Sequence, residues 1–171
     1  MKITNVDSTN FRATMNISQI KNYQHYWQEV ANNFAKKTAE TEANMAILNP
    51  SGVIGFGITY LKSNSNNGKN SMAYISCTKD CFDKMTNESP EATADKLTKV
   101  FSLATELNKK GLNILAKFNE EVKTMNLKAN DSEKFRSLYA KNVNAKKDII
   151  MKEVNNSMNN SEELKGFEIF I

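Results

Sequence analysis

The 171-residue sequence is short of the side chains that metal binding and catalysis most often use. It has one histidine, two cysteines and two arginines. A structural zinc site needs four ligands, usually cysteine and histidine, and three such side chains cannot complete one. Two cysteines also do not form the disulfide framework of a small secreted protein. We therefore expect no metal site and no cofactor, and the sequence indicates no catalytic residue.

Proline and glycine are also scarce, with two and six residues, so the chain should form long regular elements with few linkers. It contains no run of about 18 apolar residues, so no transmembrane helix is predicted. The N-terminal sequence MKITNVDSTNFRAT lacks the apolar segment of a signal peptide. These absences predict a soluble, cytoplasmic protein without a membrane partner. Export by a route that needs no cleaved signal is the alternative.

The composition is that of a globular domain, with 40% apolar and 25% charged residues. The net charge of +4 is evenly divided, because residues 1–90 hold nine basic and seven acidic residues and residues 91–171 hold fourteen and twelve. Nucleic-acid-binding proteins concentrate basic residues in a patch or stripe. The order helix–strand–strand–strand–helix resembles that of double-stranded-RNA-binding domains, but Glu91 and Asp95, rather than a basic cluster, open the long helix. The sequence therefore argues against nucleic-acid binding.

The first half of the chain changes between strand and helix patterns. Apolar residues at every second position predict a strand over Phe11–Ile17. Ser18 is then the expected N-cap of a helix that runs from Gln19 to about Lys37 or Thr38. Three strands should follow, at Met45–Leu48, Val53–Lys62 and Met72–Cys77.

The last two of these strands are predicted to form a hairpin. Asn67-Gly68 is the favoured pair for a two-residue turn between strands. With that turn, Tyr60 lies opposite Ile75, and Ile58 lies opposite Cys77.

The second half of the chain is predicted to be a helical hairpin. Ser89 and Pro90 form a helix start, and apolar residues at helical spacing continue to about Met125, which predicts about 35 helical residues. A second long helix should begin near Ser132 and lie antiparallel to the first, because the linker is short. The polar stretch Asn155–Ser161 is expected to fray, and Gly166–Ile171 should add a last strand to the sheet.

Together these elements predict the α+β class. The expected fold is a small antiparallel sheet, in the order β-α-β-β-β with a C-terminal β, packed against an N-terminal helix and a long antiparallel helical hairpin. We expect one domain over residues 1–171. Its strand-rich half spans residues 11–86, its helical hairpin residues 89–158 and its C-terminal strand residues 166–171.

Cys77 and Cys81 have the spacing C-x-x-x-C at the end of a predicted strand. Within one strand, residues four apart are separated by about 13 Å, which is too far for a disulfide. If Thr78 instead caps a short helix, Cys81 lies on its inner side with Phe82 and Met85, and the two thiols come closer. We interpret both as buried, reduced thiols, because cysteine behaves as a small apolar residue. A disulfide, a redox pair and a metal site are the alternatives.

Gly55 and Gly57 leave one face of their predicted strand bare, so a large group should lie over it. We expect Trp27 or Phe34 of the first helix to pack there. The alternative is a ligand slot between the sheet and that helix. The candidate ligand-binding residues of this slot are Tyr23, Trp27, Gly55 and Gly57.

The function that these observations favour is a non-catalytic protein-interaction or adaptor protein, which binds a protein partner or self-associates as a homo-oligomer. His25 should point to solvent, where it cannot complete a catalytic pair. The long helix also carries apolar residues beyond those a monomer core needs, such as Leu103, Leu112 and Met125. The alternative is a small-ligand-binding or sequestering protein. Nucleic-acid binding and a small enzyme are the less favoured classes.

Overall fold

The computed structural model describes residues 13–38, 43–48, 55–60, 72–127 and 131–171. Mixed strands and helices confirm the predicted α+β class. The strands are β1 Thr14–Asn16, β2 Ala43–Leu48, β3 Gly55–Tyr60, β4 Met72–Cys77 and β5 Phe167–Phe170. The helices are α1 Gln24–Lys37, α2 Lys79–Thr86, α3 Pro90–Thr124, α4 Ser132–Tyr139 and α5 Ala145–Asn159, and a π segment, Ala140–Asn144, joins α4 to α5.

The five strands form one sheet in the order of the sequence, β1-β2-β3-β4-β5. The strands from β2 to β5 are antiparallel neighbours, as predicted, whereas β1 pairs with β2 in parallel. The parallel pair arises because α1 lies between β1 and β2 and returns the chain to the same end of the sheet. One face of the sheet, the inner face, is buried in a core shared with the helices. Its residues are Met15, Met45, Ile47, Phe56, Ile58, Ala73, Ile75, Cys77, Phe167 and Ile169.

The pairing of β3 with β4 differs from the predicted hairpin. Ile58 lies opposite Ala73, and not opposite Cys77 as the predicted turn required. The observed register shifts β4 by four residues from the predicted pairing with β3, and Asn67-Gly68 lies outside the described residues. Because the partner of Ile58 changes by an even number of residues, the side chains stay on their predicted faces.

The first helix begins later than the sequence predicts. α1 starts at Gln24, so the prediction of Ser18 as its N-cap is wrong. Asn16 Oδ1 accepts a hydrogen bond from the Ser18 N–H at 2.9 Å and holds this segment in a turn instead. Tyr23 then leads into α1 in the left-handed conformation, with φ 58° and no capping hydrogen bond from its side chain.

The two later helix caps are confirmed. Thr78 Oγ1 accepts a hydrogen bond from the Cys81 N–H at 3.2 Å, and Ser89 Oγ accepts one from the Ala92 N–H at 3.2 Å. Pro90 occupies the first turn of α3, where its missing N–H costs nothing. α3 has 35 residues, so it is about 50 Å long, as predicted.

The last helix does not fray at Asn155 as predicted, because α5 continues to Asn159. The side-chain amide of Asn155 donates to the Ile169 carbonyl at 3.0 Å, and its oxygen accepts from the Ile169 N–H at 2.9 Å. β5 is an edge strand, so these two bonds satisfy peptide groups that the sheet leaves open. The predicted C-terminal strand is confirmed, and α5 closes its free edge at Ile169.

Candidate functional site

Cys77 and Cys81 are buried thiols that form no disulfide, as predicted. Burial raises the pKa of Cys77 to about 12, and the neighbouring Cys81 adds to the rise. Burial also raises the pKa of Cys81 to about 11, against the lowering effect of Lys96 and Lys84. Only a thiolate is a good nucleophile or metal ligand. At neutral pH both cysteines therefore act as small apolar core residues.

The structure does not bring the four predicted ligand-binding residues together. Tyr23 is 68% exposed at the start of α1, whereas Trp27 is fully buried. The Trp27 indole stacks on Phe82 of α2, with ring centroids 5.4 Å apart, and Tyr26 meets it edge-on at 5.5 Å. Trp27 therefore packs in the core between helices, whereas the Tyr23 side chain is exposed.

Gly55 and Gly57 face away from the inner face, because side chains alternate along β3. A Cβ at Gly55 would lie 1.8 Å from Tyr74 Oη, so the Tyr74 ring fills the space beside this glycine. Gly57 is the direct partner of Tyr74 in the ladder. The prediction that Trp27 or Phe34 covers the glycines is wrong at Gly55, since β4 supplies the covering ring. Gly55 and Gly57 therefore lie on the face of the sheet opposite to the core in which Trp27 is buried.

His25 points to solvent, as predicted. Its side chain is 91% exposed, and Nε2 lies 3.0 Å from Glu29 Oε1. The next residue, Tyr26, turns inward, and its hydroxyl donates to the Met85 carbonyl and lies 2.7 Å from Thr93 Oγ1. Burial raises the pKa of Tyr26. The hydrogen bonds of the neutral phenol therefore link α1 to the junction of α2 and α3. Helical periodicity alone did not predict this contact.

The other face of the sheet, the outer face, carries exposed apolar side chains. Met72 is 65% exposed, and Phe170 is 43% exposed. Tyr74 and Phe170 are directly paired across β4 and β5, with ring centroids 6.3 Å apart. Met72 lies two residues from Tyr74, on the same face of β4. We call Met72, Tyr74 and Phe170 the outer-face patch. Contiguous exposed apolar side chains are more typical of interaction surfaces than scattered ones.

The outer-face patch lies in weakly charged surroundings. The other described side chains on this face of β1, β4 and β5 are Thr14, Asn16, Ser76 and Glu168. Glu168 is exposed and forms no ion pair with any residue that the structure describes. The strand periodicity placed these residues on one face, but it could not show on which side of the sheet the helices pack.

The helical hairpin of α3 with α4 and α5 is far longer than the strands, because α3 spans about 50 Å and a six-residue strand about 20 Å. Near the C-terminal end of α3, the buried Phe118 ring contacts Phe135 and Tyr139 of α4, with centroids 5.7 and 5.5 Å away. The surplus apolar residues predicted on the long helix are half-buried or exposed, namely Leu103, Leu112 and Met125.

A pocket of about 150 Å³ lies between α3 and the second helix of the hairpin. We call it the hairpin pocket, and its lining residues are Ile114, Lys117, Phe118, Glu121, Asn142 and Lys146. Asn142 belongs to the π segment, in which the Ala145 N–H bonds to the Ala140 carbonyl, five residues back. The Asn142 side chain donates to the Leu138 carbonyl at 3.0 Å. Single π turns inside helices recur at functional sites.

No protein-family model, curated protein or solved structure matches the chain. Across the described ranges, no helix is both long enough and apolar enough to cross a bilayer. Nor do three or more His, Cys, Asp or Glu side chains come together there in a group that could hold a metal ion.

Proposed function

We propose that this chain is a non-catalytic protein-interaction module that binds an amphipathic helix of a partner protein on the outer face of its sheet. The observation that carries the proposal is the exposure of Met72 and Phe170 beside Tyr74. An antiparallel sheet commonly leaves one face to solvent, and that face is then mostly polar, so exposed apolar side chains on it indicate a contact surface. Helices of this chain cover the inner face. A helix from a partner would give the outer face an equivalent cover.

The edges of the sheet offer a partner less than its outer face does. A peptide that adds as a strand needs a row of open N–H and C=O groups. Asn155 already bonds to the peptide groups of Ile169 on β5, and β1 at the other edge has three residues. The outer-face patch instead offers apolar surface, to which the apolar side of a helix is suited.

The charge on the outer face indicates what else the partner helix carries. Glu168 is exposed next to Phe170, so a Lys or Arg on the partner would form an ion pair at the rim of the contact. Such pairs contribute more to the rate and specificity of association than to affinity. Single-stranded nucleic acid also stacks on the aromatic side chains of open sheets, but its phosphates require basic groups. The carboxylate of Glu168 disfavours that ligand.

The environments of the cysteine and histidine side chains support the non-catalytic part of the proposal. The raised pKa values of Cys77 and Cys81 keep both thiols protonated at neutral pH. His25 lies on the surface of α1 and pairs with Glu29 rather than with a nucleophile. These residue types are therefore not arranged as an activated nucleophile with its base.

Selection from a library of helical peptides displayed on phage tests the proposal. We expect the enriched peptides to share apolar residues spaced three and four apart and at least one Lys or Arg. Replacement of Met72→Gln together with Phe170→Gln should abolish their binding. Ile149→Gln is the matched control, because Ile149 is 58% exposed on α5 and does not belong to the sheet. Peptides that bind the patch variant as well as the wild type would contradict the proposal.

Sedimentation over a range of protein concentrations separates this role from self-association. We expect the isolated chain to remain a monomer. A concentration-dependent dimer that disappears with Met72→Gln and Phe170→Gln would make a second copy, rather than a partner helix, the occupant of the outer face.

A further inference from the structure

Residues 109–153 of the hairpin hold all of the excess basic charge of this protein. Residues 109–153 contain eleven Lys and Arg and six Asp and Glu, a net charge of +5, whereas the rest of the chain contains twelve and thirteen. This excess does not appear when the sequence is divided into residues 1–90 and 91–171, because each half then has a net charge of +2. A field of this sign attracts anions over about one Debye length, roughly 8–10 Å near physiological salt.

Two lysines line the hairpin pocket, Lys117 on α3 and Lys146 on α5. Lys110 is ion-paired with Glu106 one turn away, at 3.1 Å. Lys117 and Lys146, on α3 and α5, form no ion pair with any residue that the structure describes. Glu121 lies one turn after Lys117, but a Lys that precedes a Glu is the weaker orientation for such a pair. Two lysines without an ion pair to a described residue therefore line the pocket.

We propose that the hairpin pocket binds orthophosphate. Lysine ammonium groups bind phosphate as point charges, and here they come from two facing helices. Asn142 uses one N–H on the Leu138 carbonyl, and a primary amide has a second N–H to donate. The volume of about 150 Å³ leaves room for an ion as small as phosphate.

Glu121 gives this pocket a means to distinguish phosphate from sulfate. A carboxylate can only accept hydrogen bonds, so it repels an anion that has no proton. Orthophosphate keeps a P–OH at neutral pH that can donate to Glu121, whereas sulfate has none. A site that bonds to a ligand hydroxyl rejects an analogue lacking it, because the acceptor is then left without a donor. The pocket should therefore prefer orthophosphate to sulfate.

Isothermal titration calorimetry at fixed ionic strength tests this site. We expect saturable binding of orthophosphate and about tenfold weaker binding of sulfate. Lys117→Met with Lys146→Met keeps the apolar stems and should weaken orthophosphate binding about tenfold or more. Lys134→Met with Lys152→Met removes the same net charge from exposed positions of the hairpin and should bind like the wild type.

A third variant and a spectroscopic reading complete the test. Glu121→Gln should raise the affinity for sulfate toward that for orthophosphate, because the glutamine amide can donate. Backbone amide NMR signals of Asn142 and Val143 should shift on titration, and the same spectra show whether each variant is folded. The proposal is overturned if the wild type shows no saturable binding, or if both lysine pairs weaken binding equally. Shifts spread evenly over the hairpin would mean an adventitious ion only, and would overturn it too.

Discussion

The ring of Tyr74 lies across Gly55 of the neighbouring strand, so that a Cβ at Gly55 would be 1.8 Å from Oη and 2.3 Å from Cζ of the tyrosine. The glycine makes room for the ring, and the ring in turn lies beside Phe170 in the outer-face patch. The expectation of a large group over the bare strand was right, but its source is the adjacent strand rather than the first helix.

Gly55→Ala is expected to lower the free energy of unfolding by about 1–3 kcal/mol, because the added methyl group overlaps the Tyr74 ring. In a Tyr74→Ala background the same change should cost much less, since alanine is otherwise preferred to glycine within a strand. Urea unfolding of the wild type, both single variants and the double variant measures this coupling. The same cost for Gly55→Ala in both backgrounds would show that the ring does not pack there.

Asn155→Ala is expected to destabilise the protein by about 1–3 kcal/mol, because it leaves the peptide groups of Ile169 without their partner. Hydrogen exchange of the Ile169 amide should accelerate more than exchange elsewhere in the sheet. Asn156→Ala, at the exposed neighbouring position of α5, is the control and should change neither quantity. Unchanged exchange at Ile169 in the Asn155 variant would mean that α5 does not close the edge of β5.

Three candidate N-caps should differ in their contribution to stability. Thr78→Ala and Ser89→Ala each remove an observed capping hydrogen bond and should cost about 1 kcal/mol. Ser18→Ala should change stability by less than about 0.5 kcal/mol, because no helix begins there. Thermal unfolding of the three variants gives the comparison. A loss at Ser18 as large as that at Thr78 would favour the helix start that the sequence predicts.

These caps show how far local sequence determines the fold. Ser89 and Pro90 specify the start of α3 within a few residues, so that helix was predictable. Ser18 is the same favoured N-cap residue type, but no proline and acid follow it, and Asn16 bonds to its N–H and turns the chain. A residue scale for N-caps does not include this competition. The two hydrogen bonds between the Asn155 side chain and the Ile169 peptide groups were not predictable. They join the polar end of a helix to a later strand, and local sequence does not specify such a contact.

The candidate site was less predictable than the fold. Alternation along β4 assigned Met72 and Tyr74 to the face opposite the core, yet it could not show whether another layer covers that face. The sequence favoured Trp27 as a core residue over a ligand platform, but its stacking on Phe82 depends on the position of α2. The hairpin pocket is lined in part by Asn142 of the π segment, for which the sequence gives no pattern.

The two buried thiols predict how stability changes at alkaline pH. The pKa values of Cys77 and Cys81 rise from an ordinary 9.0 to about 12 and about 11 on folding. The unfolded chain therefore loses these protons first, so their contribution to stability is complete below pH 9 and is lost as the pH rises through the folded values. The stability of a Cys77→Ala, Cys81→Ala variant should fall less steeply above pH 9 than that of the wild type. If urea unfolding shows that the stabilities of the variant and of the wild type fall equally steeply above pH 9, the burial of both thiols is contradicted.

The most direct test of the proposed helix-binding face is the affinity of one selected peptide for the wild type and for Glu168→Lys. The peptide is measured with its basic residue intact and with that residue changed to Glu. We predict that Glu168→Lys weakens binding of the basic peptide about fivefold at low salt, and that the acidic peptide recovers this loss. If neither Glu168→Lys nor Phe170→Gln changes the affinity for either peptide, the partner binds elsewhere and the outer face is not the site.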